Sequence, residues 1–303
     1  MADQGQASDE PCRRRERGRF RRGLSDSFVA ELKTGRFHEL LGVTKSRCLD
    51  LQIRESYVDI YADGRRVLGL AESRRRPDTY EASVHEKYVA GLSLPDRRSS
   101  DAGPYARFAA SRDFVVTYLS SLDLILTNAS RSRKPEGQLE EKLIRRSLRD
   151  DSPVMFIDRQ VQVHGVRSRA DLIGIATWSD AWARVVLVEL KQGLDNRIQC
   201  LPSQMSSYRG VLAPGGHLAA DVAASYREVV AQKQELGILP ASARFPEGDP
   251  PVDCLLVLAD YNPRSRLLGR LRERSRSSEF RMKLALLQPD TFILPPPESW
   301  EVL

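Results

Sequence analysis

Apolar positions along the chain change their period several times, and each change marks an element. From Ser25 to Leu41, Phe28, Leu32, Phe37, Leu40 and Leu41 recur at helical spacing, with Gly35 as a break. The period then falls to two. Leu49, Leu51 and Ile53 alternate with polar residues, Tyr57–Tyr61 follows, and Val67–Leu70 comes after Asp63-Gly64. Asp-Gly between two such runs is a strong hairpin signal. This predicts a three-stranded meander from Cys48 to about Glu72, too small to be stable unless it packs on helices.

Residues 73–103 are rich in Arg, Ser, Asp and Pro and read as a linker. Helical spacing returns from about Pro104 to Leu126 and again from Glu136 to Leu148. Three strand-like runs follow, Val154–Val163, Ser168–Trp178 and Arg184–Leu190. Next come helical stretches near 197–212 and 218–236, an apolar strand Cys254–Leu258 and an Arg-rich helical stretch Pro263–Arg276. Pro295-Pro296-Pro297 excludes interior helix or central strand at that point. No internal repeat is present. This order predicts an α/β fold: a mixed sheet flanked by helices, preceded by a small α+β N-terminal domain that holds the meander. The expected divisions are a disordered basic arm over 1–23, an accessory domain with linker over 24–103, and a main domain over 104–303.

Composition narrows the function classes. The 303 residues hold 47 Lys and Arg against 41 Asp and Glu, a net charge of +6. The densest run, Arg13 to Arg22, reads as a solvated tail able to attract phosphate weakly. Cys12, Cys48, Cys200 and Cys254 form no CxxC pair, so zinc-finger and thioredoxin readings fail and free thiols are expected. His38, His85, His164 and His217 lack metal-ligand spacing. No apolar run is long enough for a membrane span, and no secretory h-region is seen, so a cytoplasmic location in a bacterial cell is expected.

One strand carries an anomaly. Val185–Lys191 is apolar on both faces, as in a buried central strand, yet it ends in Glu189 and Lys191. Alternate residues share a face, so these two charges point the same way. A Glu–Lys pair fraying into solvent would explain them if they stood alone. The preceding strand, however, opens with Asp171. Paired as an antiparallel hairpin, the two strands bring Asp171 and Glu189 to one edge of the sheet. Two facing carboxylates repel unless a cation lies between them, and Mg²⁺ or Mn²⁺ prefers such oxygens.

These residues resemble a known family. Arg169-Ala170-Asp171-Leu172 and Glu189-Leu190-Lys191 are similar to the two core motifs of the PD-(D/E)XK nuclease superfamily, with Ala170 where the family has Pro. Gln204-Met205-Ser206-Ser207-Tyr208 resembles the QxxxY motif of its RecB-like branch, and on a helix Gln204 and Tyr208 share a face. The family also has an upstream helix whose Glu faces the site, and both Glu140 and Glu141 qualify. The resemblance covers about Glu136 to Asp260. It implies a restriction-endonuclease-like sheet and a metal held by Asp171, Glu189 and the backbone carbonyl of Leu190. It also implies catalytic roles for Lys191, Gln204 and one of the two glutamates.

Walker motifs and an iron–sulfur cysteine set are absent. Arg54-Glu55-Ser56-Tyr57 and Tyr61-Ala62-Asp63-Gly64 resemble an accessory domain that precedes bacterial nucleases of this kind. Arg54, Arg65, Arg66 and Tyr208 are candidate nucleic-acid contacts, with a solvated strand face as the plain alternative for the arginines. The expected activity is metal-dependent phosphodiester hydrolysis, in DNA in the first place, in repair, restriction or phage defence. Two alternatives stay open: an RNA-directed nuclease, and an inactive nuclease-fold protein that binds nucleic acid or a protein partner. A homodimer is compatible with either.

Overall fold

The computed structural model describes residues 20–303 except 74, 75, 77, 99–102, 133, 134, 150, 163–168, 179, 180, 195, 277–279 and 288–291. Its first part begins with helices α1 (Asp26–Lys33) and α2 (His38–Ser46). Ser25 caps α1 by accepting from the Phe28 N–H, satisfying a donor that the first turn would leave unpaired. The chain breaks around Gly35, as the spacing predicts. Strands β1 (Asp50–Ile53), β2 (Tyr57–Ala62), β3 (Arg65–Glu72), β4 (Tyr80–His85), β5 (Arg97–Arg98) and β6 (Tyr105–Ala109) follow. They form one six-stranded sheet in the order β1-β2-β3-β4-β6-β5.

The predicted meander is thus half of a larger sheet. The stretch read as a linker supplies β4 and β5, and the start of the helix predicted from Pro104 is β6. The Asp-Gly hairpin stands. Asp63 and Gly64 have φ of 49° and 74°, and Ala62 pairs with Arg65 across the turn. Two positive φ values are what a two-residue turn between right-twisted strands requires.

Helices α3 (Arg112–Ser120), α4 (Leu122–Ser130) and α5 (Pro135–Ser147) lead to the second sheet. Its strands are β7 (Val154–Gln162), β8 (Arg169–Trp178), β9 (Ala181–Gln192), β10 (Val252–Ala259), β11 (Lys283–Leu286) and β12 (Glu301–Val302), in the order β12-β11-β10-β9-β8-β7. Between β9 and β10 lie a 3₁₀ turn at Asn196–Cys200, α6 (Leu201–Leu212) and α7 (Ala219–Glu235); α8 (Arg266–Arg276) follows β10. Pairs β7–β8 and β8–β9 are antiparallel, whereas β9–β10 and β10–β11 are parallel. The molecule is therefore a mixed α/β protein with two sheets flanked by helices.

Burial explains why β9 reads as continuously apolar. Val186, Val188 and Leu190 pack with Leu139, Leu143 and Ile144 of α5 on one face. Val185 and Leu187 join the other, larger core with Met205 and Tyr208 of α6 and Tyr226 of α7. A central strand covered on both sides has no polar face.

A buried polar seam joins β1 and its flanks to β7. Asp158, almost fully buried, accepts from Arg54, from Arg22 Nε at 3.2 Å and from the Tyr226 hydroxyl at 2.9 Å. Burial alone would raise the Asp158 pKa, but Arg54, Arg22, Lys233 and the Tyr226 bond outweigh it and hold the carboxyl below its ordinary value. Lys233, also buried, donates to Gln52 Oε1 at 2.9 Å and to the Ile157 carbonyl at 2.8 Å.

This seam corrects two expectations. Arg54 is buried in it and is not placed to touch phosphate. Within the stretch expected to be a disordered arm, residues 1–19 lie outside the described residues, but Phe20 is buried with its ring 5.5 Å from that of Tyr226, and Gly23 donates to the Arg54 carbonyl at 3.0 Å. Among the described residues, no helix is long and apolar enough to cross a membrane. Cys48, Cys200 and Cys254 are free thiols, and Cys12 and His164 lie outside the described residues.

Candidate functional site

The β8–β9 hairpin forms as the sequence predicts, with Leu172 opposite Val188 as the last paired residues before the site. One step further, Asp171 and Glu189 stand opposite each other. Ile173 and Ile175 on β8, like Val185 and Leu187 on β9, face the α6–α7 layer. Alternation therefore carries Asp171, Glu189 and Lys191 onto that same face. The apolar pattern that buries the strands also sets their charged ends side by side.

Each charged group is held by a named partner. Asp171 Oδ2 accepts from the Leu190 backbone N–H at 2.8 Å. Glu189 Oε1 lies 2.8 Å from Lys191 Nζ, and its Oε2 accepts from Gln204 Nε2 at 2.9 Å. Lys191 also donates to the Leu190 carbonyl at 2.9 Å and lies 3.4 Å from Glu136 Oε1. Gln204 reaches Glu189 because α6 packs directly on β9, with Met205 and Tyr208 buried beneath it.

The two candidate glutamates of α5 part company. Glu140 accepts from Gln160 Nε2 at 2.7 Å, and the same amide nitrogen lies 3.5 Å from Asp171 Oδ1. Arg159 holds Glu140 from the other side, 3.1 Å from Nε and 2.5 Å from Nη2, and also bonds Asp50 at 3.1 Å. Glu141 instead accepts from the Gly64 N–H at 2.5 Å and pairs with Arg145. The structure thus places Glu140 toward the site and Glu141 on the hairpin of the first sheet.

The electrostatics are those of crowded acid groups. Burial, then the negative charges of Glu189 and Glu140, push Asp171 up to about 8, against the opposing pull of the Leu190 N–H and Lys191. Burial also raises Glu189 and Glu140, partly offset by Lys191 and Arg159 respectively. Lys191 stays protonated: burial opposes its charge, but Glu189, Asp171 and Glu136 prevail and raise its pKa.

The fit to a divalent ion follows from the donor set. Among the described residues, no group of three or more His, Cys, Asp or Glu side chains is gathered to hold a metal. Asp171, Glu189 and the Leu190 carbonyl offer protein oxygens at the strand ends, with Glu140 beyond Gln160 on the Asp171 side. Mg²⁺ suits so sparse a set because it keeps several waters and takes substrate phosphate oxygens. Lys191 bonds Glu189 and the Leu190 carbonyl, two of those three groups.

Beside Asp171 opens a cleft of about 790 Å³ between the two sheets. Glu140, Gln160 and Asp171 lie on one side of it, and Tyr57, Arg65, Arg66, His85 and Tyr105 of the first sheet on the other. Arg65 and Arg66 are therefore brought to the site. Tyr208 is not: it is fully buried, so its place is in the core and not at a nucleic-acid surface.

Sequence reasoning missed Glu136, Arg159 and Gln160. Glu136 sits one turn before Glu140 on α5, a signal that the helical period contained. Gln160 and Arg159 gave none. A β-bulge between Phe156 and Asp158 and a φ of 51° at Gln160 re-aim these side chains, and strand alternation cannot foresee that.

No protein-family model and no curated protein matches this chain. Among solved structures it is similar to a repair endonuclease from Pyrococcus abyssi, at 12% identity over 83% of this chain and 94% of that one, with a TM-score of 0.22. A likeness that slight carries no argument about function.

Proposed function

We propose that this chain is a divalent-metal-dependent nuclease of the PD-(D/E)XK type that hydrolyses phosphodiester bonds in DNA, in repair, restriction or phage defence. The observation that carries the reading is the meeting of Asp171, Glu189 and Lys191 on one sheet face, with Gln204 on Glu189 and Glu140 nearby. A paired structural ion bridge would need only Glu189 and Lys191. It would not need a second carboxylate opposite, raised by burial and by its acidic neighbours.

Asp171, Glu189 and the Leu190 carbonyl would hold Mg²⁺ or Mn²⁺. When bound, the ion supplies Lewis-acid polarisation of the phosphate and a water of lowered pKa. The chain's own groups do the rest. The Leu190 N–H fixes one Asp171 oxygen, and Gln204 fixes one Glu189 oxygen, so both carboxylates are oriented before substrate arrives. Lys191 offers a protonated amine where charge builds on the phosphate in the transition state. Glu140, anchored by Arg159, adds negative charge on the Asp171 side.

The test is single-turnover cleavage of linear, circular, single-stranded and duplex DNA, and of RNA, with Mg²⁺ or Mn²⁺. Cleavage of DNA that depends on the metal and on Lys191 is expected. A parent protein inert toward every substrate and metal would leave a nuclease-fold binding protein in its place.

A further inference from the structure

The cleft beside Asp171 does not end at its own rim. A second depression, of about 280 Å³, lies over β3, β4 and β6 of the first sheet. Tyr57, Arg66 and Tyr105 line both cavities. They form the threshold of one groove that runs from Asp171 across Arg66 to Arg107, on the far side.

The chemistry of this groove alternates cations with rings. The Arg66 guanidinium lies 4.1 Å from the Tyr105 ring centroid and 3.1 Å from Asp59 Oδ1. Gly69 makes room for it: a Cβ there would come 3.0 Å from Arg66 Nη1 and 2.6 Å from the Ser83 hydroxyl. The His85 ring stacks on Tyr88 at 4.9 Å and meets Tyr105 edge-on at 5.3 Å. Burial, then Lys87 and Arg65, lower the His85 pKa, with Glu86 pulling the other way; across the threshold the cations Arg66 and Arg107 stand beside the acids Asp59 and Glu81. Tyr57 and Tyr105 are half-buried, each keeping part of its surface open to the groove.

We propose that this groove is a track for single-stranded nucleic acid, with bases stacking at Tyr57 and Tyr105 and phosphates met by Arg66 and Arg107. The groove then leads a strand end toward Asp171 and Glu189; that last step rests on the nuclease reading, whereas the binding does not. Three features favour a single strand over a duplex. Partly exposed tyrosine rings, one of them carrying the Arg66 guanidinium on a face, stack only with bases that are not already stacked in a helix. Cations spaced between the rings suit a flexible backbone that passes them in turn. The larger cavity also falls within the range of pockets for small molecules, about 300–1,000 Å³, which suits a few nucleotides and not a double helix.

The experiment is fluorescence anisotropy on the full chain in Ca²⁺, with labelled single-stranded oligonucleotides, blunt duplex and duplex bearing a single-stranded tail. DNA and RNA versions run side by side, so that the tighter one names the sugar. Single-stranded and tailed probes should bind at least tenfold tighter than blunt duplex. Tyr57→Ala with Tyr105→Ala should lose at least tenfold on the single strand and little on the duplex. Arg107→Glu, an exposed change that does not threaten the fold, should weaken the single strand with a reduced salt dependence.

Equal affinity for blunt duplex overturns the proposal. So does unchanged single-strand affinity in an Arg107→Glu protein or in a double variant with the parent's melting temperature. Competition by polyglutamate as effective as by oligonucleotide overturns it too, since charge alone would then suffice. Binding that fits the groove without any cleavage in Mg²⁺ would sink the nuclease reading and keep the track. Cleavage with no single-strand preference would do the reverse.

Discussion

Lys191 places its ammonium 2.8 Å from Glu189 Oε1, two residues back along the same strand. The same nitrogen also donates to the Leu190 carbonyl. The lysine therefore offsets carboxylate charge at the strand end, where a bound divalent ion would also draw on Glu189 and the Leu190 carbonyl. Lys191→Ala should abolish cleavage, because the amine's contribution lies chiefly in the transition state. It should leave nucleic-acid affinity within about threefold of the parent, and Mg²⁺ should bind at least as tightly, since the cation competing for Glu189 is gone. Single-turnover cleavage and calorimetric Mg²⁺ titration check the two halves. Parental cleavage by Lys191→Ala would end the proposed mechanism.

The acid pair gives a pH signature. Burial and its acidic neighbours raise Asp171 to about 8 in the fold, against about 4 in an unfolded chain. Between these values the native state keeps a proton that the unfolded chain has lost, so the Asp171 contribution to folding stability falls as pH rises from about 4 to about 8. Glu189 is shifted in the same direction and adds to the trend. Asp171→Asn removes the Asp171 share. In chelator, its melting temperature should gain on the parent's steadily between pH 5 and pH 8.5, and millimolar Mg²⁺ should narrow that gap by stabilising only the parent. A gap that does not change with pH would show that Asp171 is not strained by its neighbours.

Glu140 and Glu141 are adjacent in sequence and have different partners, Arg159 and Gln160 for the first and Gly64 and Arg145 for the second. Glu140→Gln should lower the cleavage rate by about tenfold or more, because it removes charge next to Asp171 while keeping shape. Glu141→Gln should leave the rate nearly unchanged and act instead on stability, through the lost charge-assisted bonds to Gly64 and Arg145, at a cost of about 1–3 kcal/mol. Rate and urea melting measured on both variants separate the roles, and equal rate losses would show that the glutamates act together.

Much of the site was legible because its residues interrupt patterns. Asp171, Glu189 and Lys191 stand out as charges at the ends of strands that are otherwise apolar on both faces. The hairpin between β8 and β9 then fixes their meeting. Glu140 and Glu141 stayed unresolved because a helical period ranks faces but does not show which partners wait beyond them; Arg159 and Gln160, the partners that decide, are aimed by a bulge. The first sheet was half seen. The Arg- and Ser-rich surroundings of β4 mask its alternation, and Tyr105–Ala109 is too short to separate from the helix that follows. Arg54 read as a solvated strand residue because its partner, Asp158, lies more than a hundred residues further along the chain.

The buried seam at Asp158 should matter to folding and not to chemistry directly. It accepts from Arg54, Arg22 and Tyr226, and each loses that bond in Asp158→Ala, with Arg54 keeping the Arg159 carbonyl and Asp59. Breaking a buried pair by removing one partner leaves uncompensated charge and costs about 3–5 kcal/mol. Denaturant unfolding of Asp158→Ala should show a loss of that size. Two truncated chains extend the argument, one starting at Phe20 and one at Leu24. They differ only by Phe20–Gly23, which carry the Phe20 contact with Tyr226, the Arg22 pair with Asp158 and the Gly23 bond to Arg54. The chain starting at Leu24 should melt several degrees lower. It should also gain little further instability from Asp158→Ala compared with the longer chain, because part of the seam is already gone and neighbouring sites do not add. Equal melting temperatures for the two truncated chains would show that Phe20 and Arg22 rest on the seam without supporting it.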